Sequence, residues 1–140
     1  MKREAIMALL REKGFRATEG RVALIEALSK RPSPEPIEKI AVSVSRTLDA
    51  ANVYRALLAF TKAGIVRTID FRDGKTYYEL ASDRHHHHHV VCTDCGKIED
   101  VHGCIPALEK KVLAQSRSFS MIDSHSLEFF GMCKACAGKS

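Results

Sequence analysis

Residues 49–80 read DAANVYRALLAFTKAGIVRTIDFRDGKTYYEL, and this stretch shows a change of hydrophobic period. Its first part begins after Thr47 or Asp49, ends near Gly64, and has apolar residues at helical spacing, namely Val53, Leu57, Leu58 and Phe60. Two runs rich in β-branched and aromatic residues, 65–70 and 76–80, then flank an Arg-Asp-Gly-Lys turn at 72–75. The stretch therefore predicts a helix followed by a β-hairpin.

Three further amphipathic segments precede this helix, at 2–12, from Thr18 to about residue 29, and at 35–45. Four helices followed by a hairpin are typical of a winged helix-turn-helix, in which the fourth helix would enter the major groove of DNA. A small α+β domain without a nucleic-acid role fits the same pattern. Both interpretations remain open at this point.

Charge and metal-ligating residues divide the chain near residue 81. Residues 1–81 hold 15 Lys and Arg against 10 Asp and Glu, whereas residues 82–140 hold 7 of each. All 7 His and all 5 Cys lie after residue 84. The division predicts a basic module at 1–81 and a metal-binding module at 82–140. The basic excess alone points only weakly to nucleic acid, since it is also typical of a solvated face.

Two Cys-x-x-Cys pairs stand 37 residues apart, Cys92 with Cys95 and Cys133 with Cys136. Zinc binds tetrahedrally to thiolates, and two such pairs complete its coordination without an open position for substrate. The pairs therefore predict a structural zinc site; a thioredoxin-like redox pair is the competing interpretation. The chain starts without a signal peptide and has no apolar run that could span a membrane, so we expect a cytoplasmic protein with reduced thiols.

The second half also predicts short strands at 90–91 and 97–101, a helix at 106–115, and one or two strands over 119–130. Five consecutive His occupy 85–89. In a strand, His87 and His89 would share one face and His86 and His88 the other, so the run could supply two metal centres. A solvated polar run that binds nothing is the alternative. Further candidate ligands are Glu79, Glu99, Asp100, Glu109 and His125.

Taken together, these motifs resemble the ferric uptake regulator (Fur) family of metal-dependent repressors, which includes iron, zinc, manganese and peroxide sensors. The likeness covers nearly the whole chain. It rests on GFRAT at 14–18 with Arg21, ANVYRAL at 51–57, KAGIV at 62–66, the His run before CTDCGK at 92–97, HSL at 125–127, Gly131, and the final CKAC at 133–136.

The resemblance implies an α+β chain: a winged-helix DNA-binding domain at 1–81 and an α/β dimerisation domain at 82–140 that carries the four-cysteine zinc site. Two chains would bind a palindromic operator in double-stranded DNA. Matching positions imply DNA contacts by Tyr54 and Arg55 on the fourth helix, with Lys13 and Arg16 nearby. Asn52 stands where many members have Thr, and it could pair with adenine. Packing within the helix bundle is the alternative for Tyr54.

The resemblance also implies two metal centres besides the structural zinc. The sensing ion, Fe²⁺ or Zn²⁺ with Mn²⁺ as a further candidate, would bind Glu79, His87, His89 and Asp100, with Glu99 competing for the place of Asp100. An ion held there would fix the DNA-binding domains at a spacing that fits two half-sites. A second centre would use His86, His88, Glu109 and His125.

One departure concerns the sensing ion. Many members supply a His just before the third helix, where this chain has Lys-Arg-Pro-Ser-Pro at 30–34, and residues 1–81 contain no His. Either Glu79 would then be the only ligand from the first module, or the ion would have a lower coordination number.

We therefore predict a non-enzymatic, metal-dependent repressor that controls metal homeostasis genes for iron or zinc uptake. A peroxide-sensing repressor of the same family and a metal-storage or delivery protein are the alternatives. A zinc hydrolase or deaminase is disfavoured, because the chain lacks a His-x-Glu followed by Pro-Cys-x-x-Cys.

Overall fold

A computed structural model of the chain describes residues 1–81, 87–102, 107–123 and 125–139. Internal contacts divide the chain into two compact units, Met1–Ala81 and Ser82–Ser140. The roles that the sequence predicts for these parts, DNA binding and dimerisation, stay predictions. Within the described residues no helix is both long and apolar enough to cross a membrane.

The first unit combines four helices with a small antiparallel sheet. The helices are α1 (Arg3–Glu12), α2 (Glu19–Ser29), α3 (Ile37–Ser43) and α4 (Ala50–Lys62). The strands are β1 (Glu35–Pro36), β2 (Val66–Asp70) and β3 (Thr76–Leu80), in the order β1-β3-β2. The predicted helix and hairpin of 49–80 are thus confirmed. The short β1 was not predicted, since two residues carry no periodicity.

Buried apolar residues of all four helices form the core of this unit. Ile6, Leu24 and Val53 are completely buried, and the ring of Phe60 meets the edge of Phe15. Leu58 behaves differently from the other apolar residues predicted for α4, because it is 52% exposed. The helical repeat places it on the solvent side of α4, away from Val53 and Phe60.

Side-chain caps determine where two of these helices begin. The Thr18 hydroxyl accepts a hydrogen bond from the amide of Arg21, and the Asp49 carboxylate accepts one from the amide of Asn52 at 2.8 Å. Each cap satisfies an amide that the first helical turn leaves without a partner. Between Thr47 and Asp49, the structure therefore selects Asp49 as the N-cap of α4.

The turn of the β2–β3 hairpin bends through Arg72 and Gly74, both with positive φ, 63° and 80°. Glycine tolerates this conformation and arginine adopts it at a cost. The Tyr77 hydroxyl donates a hydrogen bond to Asp73 across the turn, which raises the pKa of Tyr77 to about 12. The predicted hairpin turn is thus held by both backbone and side-chain contacts.

The second unit is built on a three-stranded mixed sheet. Its elements are β4 (His87–Cys92), β5 (Ile98–His102), α5 (Leu108–Gln115), β6 (Glu128–Gly131) and α6 (Lys134–Ala137). The order is β5-β4-β6, with β4 antiparallel to β5 and parallel to β6.

The prediction of strands over 119–130 was wrong for most of its length. Only residues from Glu128 onward form a strand, and no strand is found in the described residues between 119 and 127. Phe119 and Met121 are 72% and 66% exposed, so this segment lacks the half-buried environment that favours a strand. The short α6 was also missed, because it spans only four residues.

Candidate metal centres and nucleic-acid interface

The four cysteines of the two Cys-x-x-Cys pairs come together at one end of the second unit. Their sulfur atoms all lie within 4.8 Å of one another, and Cys95 Sγ is 3.8 Å from Cys133 Sγ. Two sulfurs bound to one tetrahedral zinc at about 2.3 Å stand roughly 3.8 Å apart. The thiols are free rather than disulfide-bonded. This donor set fits a structural zinc ion.

Backbone amides donate hydrogen bonds to the sulfur of Cys92 and so favour its thiolate form. Cys92 Sγ accepts hydrogen bonds from the amides of Cys133 at 3.4 Å and Cys95 at 3.5 Å, which lower the pKa of the Cys92 thiol to about 6. A hydrogen bond with Cys133 raises the pKa of Cys136. A divalent cation replaces the thiol protons as it binds. Gly96, with φ of 79°, makes the tight turn of the first pair.

A second group of ligands lies on one face of the β4–β5 pair. Strand register places His89 directly opposite Asp100, and His89 Nε2 is 3.5 Å from Asp100 Oδ1. The rings of His87 and His89 have centroids 5.1 Å apart, and each offers a nitrogen within 4.8 Å of the other's. His87, His89 and Asp100, all predicted for the sensing ion, thus share one face of the β4–β5 pair.

The choice between Asp100 and Glu99 follows from the same register. Glu99 lies opposite Val90, so it projects from the other face of the sheet. Its carboxylate pairs with Lys97 at 3.3 Å. Among the two acids, only Asp100 shares a face with His87 and His89.

Glu79, the remaining residue predicted for the sensing ion, belongs to β3 of the first unit. It is paired with Arg67 on β2, the residue directly across the hairpin, and the two form an ion pair. Its role as a metal ligand stays a prediction. To bind an ion, the Glu79 carboxylate would have to leave Arg67 or contact Arg67 and the ion at the same time.

The opposite face of β4 carries residues predicted for a second metal centre. The ring of His88 lies 5.4 Å from that of His125, centroid to centroid, and His125 Nδ1 is 2.8 Å from Glu109 Oε1 on α5. His86, the fourth residue predicted here, lies outside the described residues. The alternation expected for the His run is therefore present from His87 to His89.

His102 was missed as a candidate ligand. It lies directly opposite His87 in the β4–β5 pair, with ring centroids 6.5 Å apart. Its position two residues after Asp100 was the available signal, since residues i and i+2 of a strand share a face. The sequence alone did not give the register that pairs it with His87.

The residues predicted to contact DNA all expose their side chains on the first unit. Tyr54 is 58% exposed, which excludes the alternative that it packs inside this unit. Arg55 and Asn52 are exposed on the same helix, and Lys13 and Arg16 are exposed between α1 and α2. An α4 that buries Val53 and Leu57 against the core thus presents polar side chains outward.

Known proteins resemble this chain along most of its length. The model of the ferric uptake regulator family matches residues 12–130. A ferric uptake regulation protein of Legionella pneumophila is 31% identical over 131 residues, which cover 91% of this chain and 95% of the relative. The peroxide operon regulator of Bacillus subtilis is 30% identical over 134 residues, covering 93% and 90%.

Solved structures show the same architecture. The ferric uptake regulator of Francisella tularensis, solved with iron, superimposes with a TM-score of 0.69 at 26% identity and covers 89% of this chain and 96% of its own. The helix-hairpin unit, the thiolate cluster and the His-bearing sheet thus occur together in a chain whose sequence and fold both match one group of regulators. The protein belongs to the ferric uptake regulator family.

Proposed function

We propose that this chain is a metal-dependent transcriptional repressor that acts in the cytoplasm as a homodimer and binds a palindromic operator. The observation that supports the proposal is that the second unit brings together two chemically different groups of potential metal ligands. One is a closed set of four thiolates. The other is an imidazole and carboxylate group on the β4–β5 face. The family is one of regulators, so the proposed activity is binding rather than catalysis.

The two sites have different tasks in this proposal. Zn²⁺ at Cys92, Cys95, Cys133 and Cys136 stabilises the second unit and stays bound, because all four positions of the ion are filled by thiolate. The sensing ion binds His87, His89 and Asp100, with Glu79 proposed on the family resemblance alone. Imidazole and carboxylate accept Fe²⁺, Zn²⁺ or Mn²⁺, and weaker, mixed ligands let the ion exchange. His86, His88, Glu109 and His125 are proposed for a further centre.

DNA recognition is assigned to α4 and to the residues before α2. Arg55 would bind guanine or phosphate, Tyr54 thymine methyl groups or phosphate, and Asn52 adenine. Lys13 and Arg16 would hold the backbone near the minor groove. Their exposure in the first unit supports this assignment.

Homodimerisation is assigned to the second unit. Its described surface exposes several large apolar side chains, namely Val112, Phe119, Met121, Phe129 and Met132. A second copy packed against this unit would cover some of these side chains, which supports the proposed homodimer. Two copies would present two DNA-binding units, and this is the reason that we expect a two-fold symmetric operator.

A peroxide-sensing repressor is the second candidate, supported by the likeness to the peroxide operon regulator. Ferrous iron held by His87 and His89 would direct oxidation to these rings. Brief peroxide treatment of the Fe²⁺-loaded chain, followed by peptide mass spectrometry, should then add one oxygen to His87 or His89 and abolish DNA binding. The Mn²⁺-loaded chain is the matched control and should stay unmodified.

The function is tested by selecting DNA from a random duplex pool with the reduced chain, in parallel with and without added Fe²⁺, Zn²⁺ or Mn²⁺. Enrichment of a palindromic sequence only with metal is the expected result, and it would exclude a storage or delivery protein. Failure to enrich any sequence under all conditions would refute the proposed function.

A further inference from the structure

The metal-binding face of the β4–β5 pair carries four potential ligands in two rungs. His89 lies opposite Asp100 in one cross-strand pair. His87 lies opposite His102 in the next pair whose side chains point to the same face. Residues directly opposite each other in an antiparallel pair point to the same side, with Cβ atoms about 4.5–5.5 Å apart. Three imidazoles and one carboxylate therefore occupy one compact patch.

The distances within this patch are close to those of a single coordination sphere. With metal–nitrogen bonds of about 2.0 Å, two His rings on one tetrahedral ion have centroids roughly 5 Å apart. His87 and His89 already meet this condition at 5.1 Å, and His87 and His102 are at 6.5 Å. His102 is exposed at the end of β5, so a change of side-chain rotamer can bring its ring the remaining distance of about 1.5 Å toward His87.

The positions of the His residues in the sequence also favour His102 as a metal ligand. Residues 1–81 contain no His, so every imidazole ligand must come from 85–89, 102 or 125. His125 is in contact with Glu109 and lies beside His88, on the other face of β4. His102 is thus the only described His, besides His87 and His89, that the strand register places on the face with Asp100.

We propose that His102 is a direct ligand of the exchangeable sensing ion, so that β4 and β5 supply three imidazole nitrogens and one carboxylate oxygen. This inference rests on the proposed function, since it concerns the same ion. The set is neutral imidazole and carboxylate, which suits Zn²⁺, Fe²⁺ or Co²⁺ better than a purely oxygen-binding cation. Ion affinity is then determined mainly by two adjacent strands.

The test is a Co²⁺ titration of the full-length reduced chain with zinc retained at the four cysteines. Affinity and the visible d–d absorption of bound Co²⁺ are measured for the wild type, His102→Asn and Glu99→Gln. We expect His102→Asn to lose at least about tenfold in affinity, as loss of even an indirect ligand contact costs this much, and to change the visible spectrum. Glu99→Gln, on the opposite face of the same strand, should match the wild type.

A second variant separates coordination from a merely structural role. His102→Cys replaces the imidazole with a thiolate, and direct binding should produce a new sulfur-to-cobalt charge-transfer band in the near ultraviolet. No such band, or an unchanged affinity and spectrum in His102→Asn, would overturn the role of His102 while leaving metal sensing intact. A wild-type chain with no exchangeable Co²⁺ site would overturn the proposed function together with this inference.

Discussion

Arg55 stands on the solvent side of α4, whereas Val53 and Leu57 of the same helix are completely buried. Replacing Arg55 with Ala should cost about 1–3 kcal/mol of operator binding if it contacts guanine. Thermal stability should change little, because exposed side chains away from a packed core contribute within about 0.5 kcal/mol. Fluorescence anisotropy with the selected duplex and thermal melting measure the two effects.

Lys62→Ala is the matched control for Arg55→Ala, since it removes one positive charge from the exposed C-terminal end of the same helix. It should weaken binding less and uniformly across DNA sequences. Equal operator affinity of Arg55→Ala and the wild type would refute the contact.

Cys92 accepts two amide hydrogen bonds within the thiolate cluster, and it belongs to both β4 and the zinc site. We expect Cys92→Ser to lose its zinc and to unfold the second unit. A structural zinc contributes roughly 10–16 kcal/mol in zinc-finger peptides, which is as large as the whole stability of a small domain. Zinc analysis and amide hydrogen exchange of residues 87–139 report the two losses separately.

The fifth cysteine provides the control for this substitution. Cys104→Ser removes a thiol that is not part of the predicted zinc set, so it should retain stoichiometric zinc. A Cys92→Ser chain with full zinc content and unchanged hydrogen exchange would contradict the structural assignment.

At the scale of elements, α4 depends on its cap. The Asp49 carboxylate holds the first turn by accepting the Asn52 amide. Asp49→Ala should lower the free energy of unfolding by about 1 kcal/mol, and Asp49→Asn, which retains the accepting oxygen, should restore most of it. Urea denaturation of the variants measures this difference. Identical unfolding midpoints for Asp49→Ala and the wild type would show that the cap does not contribute to the free energy of unfolding.

The β4–β5 register predicts a difference between two neighbouring acids. Asp100→Asn should weaken binding of the sensing ion at least about tenfold and reduce metal-dependent DNA binding, because its carboxylate lies 3.5 Å from His89. Glu99→Gln should leave both unchanged. The reverse order of effects in a metal-competition titration would mean that the register, or the site built on it, is wrong.

Periodicity and end signals sufficed to predict the helices of the first unit and the hairpin, because their apolar faces repeat over several turns or rungs. The strand prediction failed over 119–127, where it rested on the length of the segment and where Phe119 and Met121 are largely exposed. Strand register determines which of the proposed ligands share a face, since it places Asp100 beside His89 and His102 beside His87. Register depends on pairing between distant segments, so a local pattern cannot give it.

In the whole molecule, we expect a permanent ion at the thiolates and an exchangeable ion at the imidazole and carboxylate ligands. Mild chelation should remove metal from the imidazole and carboxylate ligands first and leave about one zinc per chain at the thiolates. The resulting zinc-only protein should keep its fold by circular dichroism and lose its DNA affinity. Parallel loss of all metal and of secondary structure would show that the two sites are not independent.

Metal-dependent DNA binding is tested by measuring the affinity of this zinc-only protein for the selected duplex, by anisotropy at fixed ionic strength, as Fe²⁺, Zn²⁺ or Mn²⁺ is added. Coupling between two binding sites is typically 1–3 kcal/mol, so at least one metal should tighten DNA binding by about 5- to 150-fold. The same metal should have no effect on Asp100→Asn. Equal DNA affinity of the wild type with and without every metal would contradict the account.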